Sequence, residues 1–286
     1  MEIPEGRPEA IDIDDFIGSI GPNLIRECSN YWHATSDLVV EYPHNASRVY
    51  AEIEDRSFWF SHRNRCIVTI VRQFPPNGPL LDVGGGNGIV SLALAAAGFI
   101  AIVMEPGEGI ALARTRGLPA IRAALTSAHL REHSVPAVGL FDVLEHINDD
   151  LEALVELRRI LQPQGRLYIS VPAHQYLWSA ADEMACHARR YSIAGLCNRL
   201  SDAGFQVDFA TFAFAPLVLP VFVLRTLPWR LGVRHPSRSV EREHAMPAGL
   251  IGTVLRRWLD AEHSTIARSD RVGFGSSILA AAHVSP

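Results

Sequence analysis

The fold is decided by Leu80-Leu81-Asp82-Val83-Gly84-Gly85-Gly86-Asn87-Gly88, a short apolar run that breaks into a cluster of glycines. The residues that follow, 89–97, are mostly apolar and are predicted to form a helix. A buried strand, a tight glycine turn and a helix N-terminus together present free backbone N–H groups at the edge of an α/β sheet. This stretch therefore predicts a doubly wound α/β fold with a ligand site at the turn.

Strands and helices alternate through the residues on both sides of this turn. An amphipathic helix is predicted at 148–161, and helices also separate the other strands. Such alternation is typical of a doubly wound, Rossmann-like sheet. The predicted strands are 79–83, 99–104, 119–123, 135–141, 166–171, a sixth that begins at 205–209, and a last one at 275–284.

The flanking segments are interpreted as accessory to a core of residues 78–212, which the final strand in 273–286 completes. Residues 1–77 are predicted to form an N-terminal arm and cap helices, with one helix near Gly21–Ser29 and a helical pattern from Ser47 to Phe74. Residues 213–272 are predicted to form an inserted lid that is helical over 244–268. Its apolar run is shorter than the roughly 20 residues that cross a bilayer, so no transmembrane span is expected.

Composition narrows the class of function. The chain has 286 residues, 48% of them hydrophobic, and a net charge of -5, so a large core is expected and a nucleic-acid partner is not. The four cysteines show no metal-like spacing, which favours reduced thiols, a cytoplasmic location and no metal site. The acidic first residues lack the apolar segment of a secretory signal.

The glycine turn alone leaves two cofactor classes open. Gly86-Asn87-Gly88-Ile89-Val90-Ser91 half-matches a dinucleotide-binding turn, with Ser91 in place of the third glycine. A nicotinamide-dependent oxidoreductase is therefore one alternative. The acid before the first glycine, the alternate glycines and the Asp-x-x-Glu-His sequence at residues 142–146, which a dinucleotide enzyme does not need, favour a different cofactor.

These features resemble the class I S-adenosylmethionine-dependent methyltransferase family. Residues 141–147, Phe-Asp-Val-Leu-Glu-His-Ile, and the strand 167–172 are similar to later motifs of that family. A generic small-molecule subgroup also shows an aromatic pair, here Phe58-Trp59, and an H-x-R-R-Y element, here residues 187–191. The resemblance implies a seven-stranded sheet whose last strand is antiparallel, with S-adenosylmethionine as cofactor and S-adenosylhomocysteine as product.

The resemblance also implies which residues hold the cofactor. Asp82 would orient its amino group, Glu105 would accept both ribose hydroxyls, and the glycines would let the backbone approach it. The stretch at residues 122–126 contains no acid, so no side chain is assigned to the adenine. The predicted cofactor-binding residues are Asp82, Gly84, Gly85, Gly86, Gly88, Glu105, Phe141 and Asp142.

The residues predicted to bind the methyl acceptor and to act on it are histidine, arginine and aromatic residues, most of them near the strand ends. A general base is needed only when the acceptor is a hydroxyl or a protonated amine. Each of these residues has an alternative role in packing or loop anchoring, which the sequence leaves open. The candidate bases are His187, His174 and His146, and the candidate substrate-binding residues are Trp59, Arg63, Tyr176, Trp178, Arg190 and Tyr191.

The sequence thus predicts methyl transfer to O or N of a small-molecule acceptor such as a specialised metabolite, a peptide or a glycan. Two alternatives stay open: the oxidoreductase, and a methyltransferase-like protein that binds without turnover. The apolar lid is expected to line the acceptor pocket. It is also compatible with a hydrophobic acceptor, a homodimer interface or contact with a membrane surface.

Overall fold

The computed structural model describes residues 11–35, 51, 53–54, 56–233 and 245–285. They form one mixed sheet in the order β1-β2-β5-β4-β3-β6-β7-β9-β8, covered by helices. The strands are β1 (Leu24–Cys28), β2 (Tyr31–Ala34), β3 (Leu80–Val83), β4 (Ala101–Met104), β5 (Ala120–Arg122), β6 (Val135–Phe141), β7 (Leu161–Pro172), β8 (Phe205–Ala213) and β9 (Ser277–Val284). The main helices are α1 (Ile13–Ile20), α2 (Phe58–Gln73), α3 (Ile89–Ala96), α4 (Gly109–Thr115), α5 (Leu125–Ala128), α6 (Asp150–Ile160), α7 (Ala180–Met184), α8 (Ile193–Asp202) and α9 (Gly249–Ala267).

The sheet confirms the predicted doubly wound fold with an antiparallel last strand. Strands β2 and β3 to β7 run parallel, and β9 lies antiparallel between β7 and β8. Because β8 therefore points the same way as β7, the carboxyl ends of β3, β4, β6, β7 and β8 meet at one edge. This edge is where open α/β sheets bind ligands.

The N-terminal region departs from the prediction. The helix expected near residues 21–29 is wrong: β1 and β2 form a hairpin there that extends the sheet beyond the expected seven strands. Asn30 turns the hairpin with a φ of 58°. Asp14 in α1 accepts hydrogen bonds from Asn30 N at 3.0 Å and Trp32 Nε1 at 2.9 Å. These are contacts between separate elements, so local sequence could not indicate them.

The predicted helices next to the core are present within the described residues. Ser57 caps α2 by accepting a hydrogen bond from Phe60 N at 3.2 Å. The first part of the helical pattern, from Ser47 to Tyr50, lies outside the described residues, as does His244, where the lid helix was expected to begin.

The lid begins at the carboxyl end of β8. A helical run from Ala215 to Arg230 combines a 3₁₀ turn, an α turn, a π segment and a final α turn, with three prolines along it. The hydroxyl of Thr226 donates to Leu177 O at 2.9 Å, and Arg230 Nη2 donates to Tyr176 O at 3.0 Å. The lid is therefore packed on the chain that follows β7. No helix among the described residues has the length and hydropathy needed to cross a membrane.

Glu262 in α9 fastens the lid to the core. Its carboxylate accepts hydrogen bonds from Phe214 N and Ala215 N, both at 2.7 Å, and lies 2.8 Å from His62 Nε2 in α2. The side chains of His62 and Glu262 are only 3% and 2% exposed. One buried carboxylate thus joins the end of β8, α2 and α9.

We expect Glu262→Ala to lower the free energy of unfolding by about 3 kcal/mol, because two buried N–H groups and the His62 ring lose their partner. Asp260→Ala on the same helix removes an exposed ion pair with Arg65 and should cost under about 1 kcal/mol. Urea unfolding of both variants measures the difference. Equal losses would show that Glu262 does not fasten the lid.

Candidate functional site

The glycine turn after β3 adopts a backbone that side chains disfavour. Gly84, Gly86 and Gly88 have φ values of 70°, 52° and 75°, and Gly88 precedes the first residue of α3. Residues with a Cβ rarely adopt this left-handed region. The glycines are therefore required by the path of the chain as well as by any ligand.

Only one of these glycines faces open space. A Cβ at Gly84 would lie 2.7 Å from Val143 Cγ2, and one at Gly88 would lie 2.7 Å from Leu118 Cδ1. A Cβ at Gly86 would meet nothing within 4 Å. Gly84 and Gly88 thus leave room for Val143 and Leu118 within the protein, and Gly86 borders open space; that all three approach a ligand stays a prediction.

Asp82 lies beneath the turn. Its side chain is buried, and Oδ2 accepts a hydrogen bond from Ser91 Oγ at 2.6 Å. A Cβ at Gly85 would lie 2.8 Å from the same oxygen. Asp82 Oδ1 is buried without a hydrogen-bond partner in the described structure, and burial raises the pKa of Asp82 to about 6. Sequence analysis predicted no role for Ser91, although it occupies the third-glycine position of the dinucleotide pattern.

Glu105 connects the end of β4 to the turn after β3. Its Oε2 accepts a hydrogen bond from Gly86 N at 3.0 Å, and its Oε1 accepts one from Gly107 N at 2.7 Å. Burial raises the pKa of Glu105, while both backbone hydrogen bonds favour the ionised form. The predicted pair of Gly86 and Glu105 is thus in direct contact.

Asp142 follows β6 and pairs with Arg63. Arg63 Nη1 donates to Asp142 Oδ2 at 2.5 Å, and the guanidinium lies 5.0 Å from the ring centroid of Trp59. Trp59 in turn stacks on Phe214, the first residue after β8, with centroids 5.3 Å apart. One predicted acceptor-binding residue, Arg63, therefore contacts the predicted cofactor-binding residue Asp142, and a second, Trp59, packs against Arg63. The ring of Phe141 is instead buried in the core cluster that includes Ile70 and Tyr168.

Two of the candidate histidines lie together. The rings of His146 and His187 are 4.8 Å apart in an edge-to-face arrangement. His187 Nδ1 is 3.0 Å from Asp182 Oδ1, and its Nε2 is 4.0 Å from Glu145 Oε1. Burial, and secondarily the charge of His187, lowers the pKa of His146 to about 4. The structure thus assigns His187 an acidic partner on each ring nitrogen.

Glu145 and Asp182 are the site residues that the sequence did not single out. Glu145 is 1% exposed, its Oε2 is buried without a hydrogen-bond partner in the described structure, and burial raises its pKa well above the usual range. Asp182 is equally buried, but its partners His187 and Arg190 hold its pKa below the usual range against the effect of burial. Both acids stand within a few residues of a predicted histidine, which is the one signal the sequence offered.

Three side chains of this cluster offer atoms of the kind that bind divalent metal ions. The donor atoms of Glu145, His146 and His187 lie within 4.8 Å of one another. Ligands about 2.1 Å from a shared zinc ion can be at most about 4.2 Å apart. This trio is the group that could hold a divalent cation in the described part of the chain.

Arg190 and Tyr191 anchor the loop after β7. Arg190 donates to both oxygens of Asp182, from Nε at 2.7 Å and from Nη2 at 3.1 Å. The buried Tyr191 hydroxyl donates to Asp150 Oδ2 at 2.8 Å. The structure therefore engages both predicted acceptor-binding residues in internal contacts.

His174 lies in an aromatic cluster away from the other two histidines. Its ring stacks on Tyr176 and Phe212, each with centroids 4.9 Å apart, and lies 5.2 Å from Phe274. Burial, together with nearby Arg190, lowers the pKa of His174. Tyr176 is exposed, and Trp178 is partly buried at the end of the 3₁₀ turn Gln175–Leu177.

Comparison with known proteins agrees with this geometry. A family model described as a methyltransferase domain matches residues 54–208, more than half of the chain. The chain belongs to the methyltransferase domain family. The predicted family is thereby confirmed, and the chain is assigned to an enzyme family of transferases rather than to nicotinamide-dependent oxidoreductases.

Solved structures of methyltransferases share the fold. One from Thermotoga maritima, described as S-adenosylmethionine-dependent and a possible histamine N-methyltransferase, has a TM-score of 0.53 at 18% identity, covering 84% of this chain and 98% of its own. Phosphoethanolamine N-methyltransferase 2 of Haemonchus contortus, solved with S-adenosylmethionine, has a TM-score of 0.51 at 16% identity, covering 86% and 58%. At these identities the similarity concerns the class I fold.

One curated protein is related to this chain by sequence. It is an uncharacterized 37.1 kDa protein in transposon TN4556 of Streptomyces fradiae, 28% identical over 212 residues. The match spans 65% of the methyltransferase chain and 57% of the transposon protein, a little over half of that relative's length.

Burial of Asp82 makes the stability of this methyltransferase depend on pH. The pKa of Asp82 is about 6 in the folded chain, against roughly 3.9 when unfolded, so its ionisation lowers stability progressively as pH rises from about 4 to about 6. We expect Asp82→Asn to raise the free energy of unfolding by on the order of 2–3 kcal/mol at pH 8 and by about half as much at pH 5.

Urea unfolding at the two pH values tests this, with Asp260→Asn as an exposed control that should show little change at either. A gain for Asp82→Asn that is the same at both pH values would contradict the role of ionisation.

Proposed function

We propose that this chain transfers the methyl group of S-adenosylmethionine to O or N of a small-molecule acceptor. The observation that carries the proposal is the glycine turn. Gly86 borders open space, its N–H is held by Glu105, and Asp82 lies beneath it with one buried oxygen left unpartnered. An acid at the end of each of two adjacent parallel strands, on either side of an open glycine, suits a ligand with an amino group and a ribose.

The residues present fit this cofactor. Each oxygen of Glu105 accepts one backbone N–H and keeps a lone pair that a ribose hydroxyl can approach. Asp82 Oδ1 has acceptor capacity for the amino group, directly or through water. The backbone of Gly85, Phe141 and Asp142 would border the methionine part. When bound, the cofactor supplies a methyl carbon that its sulfonium already activates.

The small size of the proposed acceptor has support from two neighbours. Their descriptions name a possible histamine N-methyltransferase and a phosphoethanolamine N-methyltransferase, both named for small amines. Trp59 and Arg63 contact Phe214 and Asp142 at the same sheet edge and are proposed to wall the acceptor pocket. Holding the nucleophile in line with the methyl group can supply on the order of 7–11 kcal/mol of catalysis.

His187 is the proposed general base for an acceptor that must lose a proton. A hydrogen bond from Nδ1–H to Asp182 leaves Nε2 as the basic nitrogen and fixes the ring. Asp182 then acts as a positioning residue that orients the His187 ring, and it also accepts a hydrogen bond from Arg190. His146 is a weaker candidate because its pKa of about 4 makes it a poor proton acceptor near neutral pH. His174 is also weaker because its Nε2 is buried among aromatic rings.

Gly86→Ala tests the cofactor site. Its new Cβ enters the space proposed for the cofactor, so we expect S-adenosylmethionine to bind at least about tenfold more weakly by titration calorimetry. Gly117→Ala is the matched control, because Gly117 also has a positive φ, 76°, and open space at its Cβ. Both variants should lose about 1–2 kcal/mol of stability. Unchanged binding by Gly86→Ala, or tight binding of NAD(H) by the unaltered chain, would refute the proposal.

His187→Gln tests the base. We expect the rate of S-adenosylhomocysteine release, measured with a panel of small hydroxyl and amine acceptors, to fall about 10²- to 10⁴-fold with a hydroxyl acceptor. S-adenosylmethionine affinity should stay within twofold. Chelation by EDTA should leave the rate unchanged, whereas a loss would indicate that Glu145, His146 and His187 hold a metal.

The matched control is His283→Gln, because His283 also pairs through Nδ1 with an aspartate, Asp208, at 2.9 Å, but at the opposite edge of the sheet. Full turnover by His187→Gln would eliminate the base role.

A further inference from the structure

The helical run of the lid turns large apolar side chains outward. Leu219 and Leu231 are each 70% exposed and Leu224 is 57% exposed, values far from those of core leucines. Val223 and Leu227 in the run, and Val233 just after it, are also exposed. Leu219, Val223, Leu227 and Leu231 follow one another at four-residue steps and so share one side, which makes them an apolar strip rather than scattered residues.

Helix α9 carries a second exposed apolar strip. Leu250 and Ile251 are 79% and 72% exposed, and Trp258 is 55% exposed. With Val254 they follow the spacing of one helical side over its first three turns. Helix α9 contacts the 3₁₀ turn Ala215–Leu217, so it lies against the start of the helical run. We call the exposed apolar residues of both elements the lid face.

The charge of the lid is opposite to that of the rest of the chain. Residues 213–258 contain seven arginines and two glutamates, a formal charge of +5 within a chain of net charge -5. Arg230, Arg256 and Arg257 are exposed next to the apolar strips. Both glutamates of the segment, Glu241 and Glu243, lie outside the described residues. Every charged side chain that the structure describes between Asp208 and Asp260 is therefore cationic.

We propose that the lid face docks on the surface of an anionic lipid bilayer. An apolar strip that enters the boundary between headgroups and acyl chains, flanked by cations and an exposed tryptophan, has the chemistry of an interfacial helix. Each arginine near an anionic surface adds to the attraction, and salt weakens this part. The helical run lies on the bilayer in this arrangement and does not cross it.

A second copy of the chain fits this face less well than a bilayer does. A two-fold interface places the same patch against itself, so arginines at its margin would face arginines of the other copy. Like charges in apposition oppose association. Anionic lipid supplies the opposite charge along with an apolar phase, and thus complements both features of the lid face.

Docking would hold the candidate site near the membrane. The lid starts at the carboxyl edge of the sheet, and Thr226 and Arg230 bond to the chain that follows β7. An acceptor that resides at a bilayer surface would then reach the pocket without full transfer into water. This consequence rests on the proposed function, whereas docking itself does not.

Co-sedimentation of the full chain with vesicles tests the proposal. We expect it to bind vesicles of phosphatidylcholine with about one-third phosphatidylglycerol at least about tenfold more tightly than pure phosphatidylcholine vesicles, and to lose most of this difference in high salt. The triple variant Leu219→Gln, Leu224→Gln, Leu231→Gln should lose about tenfold or more of the binding. These side chains are exposed, so the fold does not depend on them.

The matched control is Val155→Gln on α6, another exposed apolar side chain at 48%, which should bind as the unaltered chain does. Arg256→Gln with Arg257→Gln should remove part of the salt-dependent binding. Absence of vesicle binding, or an equal loss in the control, would overturn the proposal. So would a stable dimer by light scattering that the triple variant dissociates. S-adenosylmethionine affinity, measured in parallel, should be unchanged in the lid variants, so failure of docking is distinguishable from failure of the proposed function.

Discussion

The structure depends on the hydrogen bond from the Gly86 N–H to the carboxylate of Glu105. It joins the turn after β3 to the end of β4, whose strands already pair side by side. Gly86 can take part because its φ of 52° is open to glycine, and Asp82 supports the same turn from below through its bond to Ser91. A rigid turn with one open position results. Burial of Asp82 and Glu105 at this turn raises the pKa values of both carboxyl groups. The ionised carboxylates therefore place an energetic cost at the site.

A second constraint organises the acceptor side. Asp182 is a buried carboxylate that binds His187 and both ends of the Arg190 fork. The hydrogen bond with His187 and the Arg190 guanidinium stabilise its ionised form, whereas burial raises the pKa of the nearby Glu145. The two carboxyl groups that face the two ring nitrogens of His187 thus have pKa values shifted in opposite directions. Sites in which two neighbouring carboxyl groups have pKa values shifted in opposite directions are suited to proton transfer.

The lid is joined to this edge by buried polar contacts and faces outward with apolar ones. Glu262 satisfies the first two N–H groups after β8 and meets His62 in the core. The opposite side of the lid leaves leucines and a tryptophan exposed. A single inserted segment therefore contacts the candidate site on one side and presents a cationic, apolar surface on the other.

The sequence by itself determined the doubly wound core, the glycine turn, Asp82 and Glu105, because these depend on local spacing: an apolar strand, an acid and glycines at fixed offsets. It also indicated the sheet edge at which His146, His174 and His187 lie, since the loops that follow parallel strands share one edge. Only the tertiary structure decided which glycine borders open space and that Arg190 and Tyr191 are engaged internally. It alone revealed the β1–β2 hairpin and the partners Glu145 and Asp182. Those outcomes arise from contacts between residues far apart in the chain, and a local sequence pattern does not specify such contacts.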